Sequence, residues 1–389
     1  MKKILLKINA WLHLWLGLVS GIIVVILSVT GCALVFEHDI KDLLYNYYSV
    51  EPQESEKQLP PSILYKSVKA TYPELEVSSF WYYGLDKSVK ISIDHSDSLI
   101  YVNPYTADIL AIVDHEDFFH EMDEGHRQLW LPRKIGRQVV GWATAIFFFI
   151  TLSGIILWWP KKWNKRHAKQ ALTINWKAKL KRINYDLHNV LGFYSLTLAL
   201  LIAFTGLIMA FPFVRKQVIA LAGGYPPRVK IEKALVDSTN NIPPTNALIV
   251  ADSIWHFVRK EVALKNKEAV IVHLPEEDEE TVYACTDMHG GSWRDLYFDR
   301  NSITLLPTSQ KALKDAKAAE WISRSNYGLH TGFIGGMTTK ILYFTASLIC
   351  ASLPITGFYI WWGKRKKKPK GKKNKDNTRL AKKELVSAD

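Results

Sequence analysis

The sequence predicts a membrane protein with an all-α core of four transmembrane helices, arranged as a parallel internal repeat, and two small α+β modules outside the membrane. Three observations indicate this fold class. Apolar residues are concentrated in four blocks, Lys and Arg dominate the connections at one end of these blocks, and one spacing of His, Thr and Gly occurs in both halves of the 389 residues.

The four apolar blocks cover approximately residues 11–36, 138–159, 189–213 and 341–362, and each is long enough to span a bilayer. The first block contains 26 residues and no Asp, Glu, Lys or Arg. At about 1.5 Å per residue it extends about 39 Å, enough to cross a hydrocarbon core of about 30 Å with some tilt. Its length, and the lack of a small-residue cleavage site after it, predict an uncleaved span rather than a signal peptide.

Lys and Arg indicate which side of the membrane is cytoplasmic. They are concentrated before the first block, in the 160–185 connection and in the tail after Trp362. We therefore expect both termini in the cytoplasm and two long periplasmic segments, at about 37–125 and 214–329. The net charge of +13 is then a topology signal. A tail facing the lipid bilayer explains it better than nucleic-acid binding, and we expect no nucleic acid as a partner.

Each outer segment has the pattern of one helix followed by short alternating strands, which predicts a small α+β module. The helices are expected from Ser62 to Pro73 and over 247–264. The predicted organisation is a first transmembrane helix at 1–37, a first outer module at 38–125, an outer approach and second transmembrane helix at 126–160, a basic cytoplasmic loop at 161–185, a third transmembrane helix at 186–213, a second outer module at 214–329, an outer approach and fourth transmembrane helix at 330–362, and a basic cytoplasmic tail at 363–389.

The two halves repeat the positions of their histidines, which predicts an internal duplication. Because both halves run in the same direction, the repeat axis is expected along the membrane normal. The separations are 17 residues for both His13–Thr30 and His188–Thr205, 28 residues for His126–Gly154 and 27 residues for His330–Gly357.

Topology places these histidines as two pairs. His13 and His188 are at the cytoplasmic ends of their spans, whereas His126 and His330 precede their spans on the outer side. Paired imidazoles from facing helices hold a six-coordinate b-type haem. We therefore expect two haem b groups, with the four histidines as the iron ligands. For any single histidine, a place at the membrane interface is the simpler interpretation, and the repetition argues against it.

Four glycines are predicted to border the haems because they share a helix face with a histidine. Gly17 follows His13 by four residues, and Gly31 follows it by 18, which is five turns and about 27 Å. Gly192 and Gly206 repeat these offsets from His188. Close helix packing explains the glycines equally well.

Other side chains near His126 and His330 are further candidates for binding the outer haem. Arg133 and Arg137 are candidates to pair with haem propionates, although interfacial anchoring is the alternative. Either His120 or His115 could replace His126 as the outer ligand, because a polar stretch separates His126 from the second span.

The histidine-containing segments are similar to those of a known family, the PepSY-associated transmembrane proteins. The matching pieces are LHLWLGL with SVTG, GHRQLW with GWATAIFFFITLSGIILWWP, DLHNVLGFYSL with AFTGL, and GLHTGF with PITGFYIWW. The outer strands YVNPYTADIL and DLYFDRNSITLLP resemble the end of a PepSY module, with Ala107 and Ser302 where the family usually has Gly. The resemblance implies a bacterial inner-membrane protein with two PepSY-like modules.

Some members of that family are di-haem reductases that release iron from ferric siderophores, and this resemblance implies the same activity here. Fe(III) is a hard cation that siderophores hold with hard oxygen ligands, so its reduction favours release. In this scheme no side chain acts as an acid or base. We expect the electron donor to be a separate cytoplasmic reductase or a membrane quinol, since the chain continues as a Lys-rich tail rather than a flavin domain. The alternatives are a non-enzymatic binding or regulatory membrane protein and a siderophore transporter.

Overall fold

The computed structural model describes residues 2–54, 57–114, 116–160, 162–224, 246–263, 268–275 and 281–365. His115, part of the second outer segment and the basic tail after residue 365 lie outside these ranges. The predicted spans are confirmed as helices. Among the described residues, four helices are long and apolar enough to cross a membrane: Lys3–Val35, Arg133–Trp158, Leu180–Ala210 and Phe333–Arg365.

The helices of the described chain are α1 (Lys2–Val35), α2 (Glu37–Leu44), α3 (Pro61–Thr71), α4 (Phe118–Gln128), α5 (Arg133–Trp158), α6 (Lys165–Leu172), α7 (Leu180–Asp186), α8 (Gly192–Ala210), α9 (Pro212–Leu221), α10 (Ala247–Phe257), α11 (Ala318–Thr331) and α12 (Gly336–Arg365). The third span starts six residues earlier than the sequence predicted. It runs from α7 through a π-helical turn at Leu187–Leu191 into α8.

The spans form a four-helix ring. Helix α1 packs against α5 and α12, and α8 closes the ring by packing against the same two helices. Each half of the chain supplies two neighbouring helices. The surfaces away from the ring keep large apolar side chains exposed, among them Val19, Ile22, Trp142 and Phe149, as expected for helices that face lipid.

The strands of the described chain are β1 (Val77–Tyr82), β2 (Val89–Ile93), β3 (Leu99–Val102), β4 (Ile109–Val113), β5 (Val270–His273), β6 (Thr281–Thr286) and β7 (Arg294–Asp299). The expectation of two separate modules is corrected here. Within the described residues these strands form one antiparallel sheet in the order β4-β3-β2-β1-β5-β6-β7. The first strand of each half pairs with its counterpart, with Phe80 opposite Val272, so that neither half exposes this edge.

The core of this outer layer lies between the sheet and two helices, α3 and α10, which pack side by side on one face. Alternate residues of the strands point to it, as the two-residue period of a strand requires. Its fully buried members include Leu64, Phe80, Ile91, Trp255 and Phe298.

Two short helices connect the sheet back to the ring. Helix α4 ends at the left-handed residues Leu129 (φ 57°) and Trp130 (φ 54°) before α5 begins. Helix α11 ends at Gly332 (φ 79°) before α12. These turns bring α4 and α11 against the ends of α1 and α8, respectively. The turn after α4 lies in the polar stretch that separates His126 from the second span.

Candidate histidine sites

The first candidate site is the terminal pair, His13 and His188, at the end of the ring remote from the sheet. His13 lies in α1 and His188 lies in the π-helical turn between α7 and α8. Their ring centroids are 6.4 Å apart and their planes make an angle of 85°. A π-turn rotates the residues within it out of the α-helical register, and such turns are frequent at functional sites.

The second candidate site is the sheet-side pair, His126 and His330, at the opposite end of the ring. His126 lies in α4 and His330 in α11. The centroids are 6.1 Å apart and the planes make an angle of 62°. The structure therefore brings His126, rather than His120 six residues earlier in α4, to His330. Burial lowers the pKa of His330 to about 4, and His126 acts in the same direction, so this imidazole is neutral.

The same hydrogen bonds hold all four rings. Each Nδ1 contacts a Ser or Thr hydroxyl and a backbone carbonyl of another helix. The contacts are Ser153 Oγ (2.7 Å) and the Ile150 carbonyl for His13, Thr30 Oγ1 (3.1 Å) and Leu27 O (2.9 Å) for His126, Thr356 Oγ1 (3.0 Å) and Leu353 O (3.1 Å) for His188, and Thr205 Oγ1 (3.0 Å) and Ile202 O (3.0 Å) for His330.

These bonds determine the tautomer. Each hydroxyl already donates to a carbonyl of its own helix, as Thr30 Oγ1 does to Ile26 O at 2.8 Å. It therefore accepts a hydrogen bond from the ring, and the backbone carbonyl accepts as well. The proton must lie on Nδ1, which leaves Nε2 with a free lone pair. Metal-binding histidines are held in this way, with the other ring nitrogen donating to a protein oxygen.

A Ser/Thr–Gly dipeptide receives each ring. A Cβ atom added to the glycine would lie against the imidazole Cε1. It would be in tight contact with the ring at Gly31, Gly206 and Gly357, and in ordinary van der Waals contact at Gly154. The distances are 3.1 Å for Gly31 and His126, 3.3 Å for Gly206 and His330, 3.5 Å for Gly154 and His13, and 3.3 Å for Gly357 and His188. Gly31 and Gly206, which we expected to border a haem, thus lie against the imidazole rings of the sheet-side pair.

An asparagine reinforces three of the four dockings. It lies four residues before the histidine, on the same helix face, and its amide donates to the carbonyl of the Ser or Thr that receives the ring. The bonds are Asn9 to Ser153 O (3.2 Å), Asn184 to Thr356 O (3.0 Å) and Asn326 to Thr205 O (3.2 Å). In α4 the corresponding position, four residues before His126, is Met122.

The remaining predicted site residues have less definite surroundings. A Cβ atom at Gly17 would meet no described heavy atom within 4 Å, and one at Gly192 would meet Leu353 at 3.6 Å. The flank next to each terminal histidine is therefore free of tight protein contacts. Arg133 and Arg137 are exposed at the start of α5, and their pairing with propionates stays a prediction.

The donor set fits a metal ion held between two imidazoles. Two nitrogens at about 2 Å from one first-row metal ion, with each ring centroid about 1.1 Å behind its nitrogen, place the centroids about 6.2 Å apart. The observed 6.4 and 6.1 Å agree with this value. No group of three or more His, Cys, Asp and Glu among the described residues has metal-binding geometry. The gap between the two rings of each pair is compatible with a metal ion whose other ligands come from a macrocycle.

A family model, described as the PepSY-associated TM region, matches residues 10–364. The chain belongs to the PepSY-associated transmembrane family. The match covers all four spans, both histidine pairs and the sheet, and it confirms the resemblance of the histidine-containing segments. No curated protein matches the chain.

Sequence reasoning paired the four histidines but did not single out Ser153, Thr356 or the asparagines. The signal was present, because every span contains a Ser/Thr–Gly dipeptide, at Thr30, Ser153, Thr205 and Thr356, although the first span has a second one at Ser20. The first span was compared with the third, and the second with the fourth. Such a comparison does not show that the dipeptide is common to all four spans. The spacing Asn-x-x-x-His also occurs three times.

Proposed function

We propose that this chain is a bacterial inner-membrane ferric-siderophore reductase that holds two b-type haems and delivers electrons to Fe(III) on the periplasmic side. The observation that carries the proposal is the pair of matched sites. At both ends of the ring two imidazoles approach each other with their centroids 6.4 and 6.1 Å apart, a separation that suits a shared metal ion. The Nδ1 atom of each ring is hydrogen-bonded to oxygen acceptors of the protein.

In this proposal His13 and His188 hold the cytoplasmic haem, and His126 and His330 hold the periplasmic one. A haem with two histidine ligands supplies one-electron transfer without a change of ligands. The chain contributes rigidity, because each ligating ring is fixed by two oxygen acceptors on a neighbouring helix. The Ser/Thr–Gly dipeptides let the rings approach the helix backbone.

The substrate and topology rest on further arguments. The concentration of Lys and Arg in the 161–185 connection supports a cytoplasmic location for the terminal pair. The sheet-side pair then lies at the periplasmic face, where ferric siderophores are found. One-electron reduction converts Fe(III) to Fe(II), a softer ion for which hard oxygen ligands have a lower affinity. The electron donor in this scheme is a cytoplasmic reductase or a quinol.

An absorption spectrum of the purified protein tests the haem assignment. We expect a Soret band and reduced b-type bands corresponding to two haems per chain. The variants His13→Ala and His188→Ala should each lose the same haem, and His126→Ala and His330→Ala should each lose the other. A pure, folded protein without a Soret band would refute the redox proposal and favour a non-enzymatic binding protein.

The reductase step needs a separate measurement. The chemically reduced protein should be reoxidised by a ferric siderophore, with one Fe(II) trapped by a ferrous chelator for each electron lost. His330→Ala, which retains the cytoplasmic haem, is the matched control and should not reduce the siderophore at a comparable rate. Reoxidation that is equally fast in this variant would contradict delivery through the sheet-side site.

A further inference from the structure

The four histidine helices differ in one respect, which concerns α4. Helices α1, α7 and α11 carry an asparagine one turn before the histidine, and it bonds the helix that receives the ring. Helix α4 carries Met122 at this position, and a thioether cannot donate such a bond. The docking of His126 on α1 therefore lacks an interaction that the other three histidines have.

An ion pair holds α4 by its other end. Lys41 of α2 lies 2.7 Å from the Asp117 carboxylate, and also 2.7 Å from Glu37. Asp117 is the N-cap of α4, where its second oxygen accepts hydrogen bonds from the backbone N–H groups of Phe119 and His120. The Lys41 side chain is 9% exposed, so this ion pair is largely removed from solvent.

The charges of this pair are secure near neutral pH. Burial acts to lower the pKa of Lys41, but the hydrogen bonds to Asp117 and Glu37 outweigh it and raise this pKa above its usual value. Burial likewise acts to raise the pKa of Asp117, but the hydrogen bonds from Lys41 and from the backbone N–H of His120 lower it. Lys41 therefore remains a cation, and Asp117 an anion, under the conditions in which the protein works.

The ion pair joins α4 to the same unit that receives His126. Helix α2 follows α1 with only Phe36 between them, and α1 contains Thr30 and Gly31, which contact the His126 ring. The ring contacts fix one end of α4 against α1. Nine residues away, or about 13 Å along the helix, Lys41 fixes the other end against α2. Helix α4 also packs against α5, and the ion pair gives it a second point of attachment to the unit of α1 and α2 that receives the ring.

We propose that Lys41 and Asp117 are positioning residues for His126, and that their ion pair replaces the asparagine found beside the other three histidines. This inference rests on the proposed haem function of the sheet-side pair. It adds that the geometry of one iron ligand is set by a residue outside the spans, in the helix that leads into the sheet. Neither residue contacts the reacting centre, so both act through the orientation of α4.

The test uses full-length protein and three single variants. Lys41→Met removes the charge and keeps most of the side-chain volume, and Asp117→Asn removes the charge but keeps the oxygen that caps α4. Lys87→Met is the matched control, because Lys87 also pairs with α2, through Asp42 at 2.6 Å, but links it to the sheet rather than to α4. The readouts are the midpoint potential of each haem and its rate of transfer to excess apomyoglobin. His13→Ala identifies which signals belong to the sheet-side haem.

We expect Lys41→Met and Asp117→Asn to speed the loss of the sheet-side haem about tenfold or more, as is usual when a residue that orients a metal ligand is removed. The terminal haem should not change, and Lys87→Met should behave as the wild type. Lys41→Arg should restore the wild-type rate because it keeps the charge.

The decisive variant adds the missing asparagine. In the Lys41→Met background, Met122→Asn should return the rate of haem loss towards the wild-type value, because the amide can bond the Thr30 carbonyl as Asn326 bonds that of Thr205. A general loss of stability would not be repaired in this way. If Lys41→Met does not fold, the same rescue is measured on Asp117→Asn.

Two negative results are distinguishable. A wild-type protein that binds no haem would refute the proposed function, and this inference with it. A wild-type protein with two haems, together with charge-removing variants that keep the sheet-side haem as firmly as Lys87→Met does, would overturn the inference alone. Failure of Met122→Asn to slow the faster haem loss would also overturn it.

Discussion

Thr205 shows how one hydroxyl can serve two helices. It donates to the Leu201 carbonyl of its own helix at 2.8 Å and accepts from His330 Nδ1 at 3.0 Å. A Ser or Thr that bonds back to its own helix costs the span nothing in unsatisfied groups. It also offers a neighbouring imidazole an acceptor in surroundings where water is scarce. Thr205 and the Ile202 carbonyl together therefore favour the His330 tautomer that carries its proton on Nδ1.

The variant Thr205→Val removes this acceptor and keeps the shape of the side chain. The Ile202 carbonyl remains, so we expect haem to stay bound at the sheet-side site with its affinity lowered by about 1 kcal/mol, the typical value of one hydrogen bond. Haem titration of purified protein measures the change. Thr345→Val is the control, because Thr345 makes the same bond to its own helix, to Ile341 O at 2.8 Å, on an exposed surface. Equal effects from both variants would contradict the assigned role.

Lys90 makes the stability of the outer layer depend on pH. Its ammonium group lies over the rings of Tyr48, Tyr83 and Tyr101 and donates to Tyr48 Oη at 2.8 Å. Burial, followed by the effect of Lys41, lowers the pKa of Lys90 from 10.5 to about 8. The folded protein therefore releases this proton before the unfolded chain does as the pH rises.

The lower pKa of Lys90 in the folded protein determines how the free energy of unfolding changes with pH. Below about pH 8 Lys90 is protonated in both the folded and the unfolded protein, and the full cost of burying its charge lowers the free energy of unfolding. Between about pH 8 and 10.5 the unfolded chain binds more protons, so the free energy of unfolding rises with pH. We expect the wild type to gain up to about 3 kcal/mol relative to Lys90→Met over this interval. Thermal unfolding of both proteins at several pH values measures it, and parallel curves would contradict the lowered pKa.

At the scale of the helix, docking depends on a short combination of residues. An asparagine and a histidine one turn apart meet a Ser/Thr–Gly dipeptide on the facing helix. Asn184 and His188 meet Thr356 and Gly357 in this way. The glycine allows close approach, the hydroxyl and a carbonyl hold the ring, and the asparagine bonds the backbone beside it.

The variant Asn184→Leu tests the contribution of the asparagine. Interhelical hydrogen bonds in membranes contribute modestly, so we expect the free energy of unfolding to fall by about 1 kcal/mol. Under the proposed function, the haem of the terminal pair should be lost more readily, because the π-helical turn that follows α7 carries His188. The haem proposed for the sheet-side pair is the internal control and should be unaffected. Equal weakening of both haems would indicate a general loss of stability instead of a local one.

Sequence reasoning succeeded where a signal is local or repeated. The apolar blocks identified the four spans, and the repeated His13–Thr30 spacing identified histidines that the structure brings together in pairs. The early start of the third span at Leu180 was missed, because the polar residues of α7 resemble a loop in hydropathy. The β-branched and aromatic residues of β1 and β5 indicate that these segments are strands. They contain no information about which strand edges pair, and these two strands are nearly half the chain apart.

At the scale of the whole molecule, the junction of β1 and β5 makes one body of the two outer segments. Ile271 lies in this junction, opposite Trp81. Ile271→Pro removes a backbone donor from the middle of the sheet, and we expect it to destabilise the protein by about 3 kcal/mol or more.

The control for this variant is Leu110→Pro. Leu110 lies in the edge strand β4, at the irregularity between Val102 and Tyr101 of β3, where the ladder has no partner for it. A proline there should change the free energy of unfolding by less than about 1 kcal/mol, since edge strands and bulges tolerate it. Thermal unfolding of both variants gives the comparison. Similar losses would contradict the central position of the β1–β5 junction.

The antiparallel pairing of β1 with β5 also bears on the history of the chain. Equivalent strands that pair antiparallel, and equivalent histidines that face each other, are related by a twofold axis. These are the contacts of an isologous dimer. A chain of half this length could form an equivalent ring, the same central strand pairing and both histidine pairs from two identical copies, with each pair on the axis. Within one chain the two halves can differ, and here α4 carries Met122 where α11 carries Asn326, a difference that identical subunits cannot have.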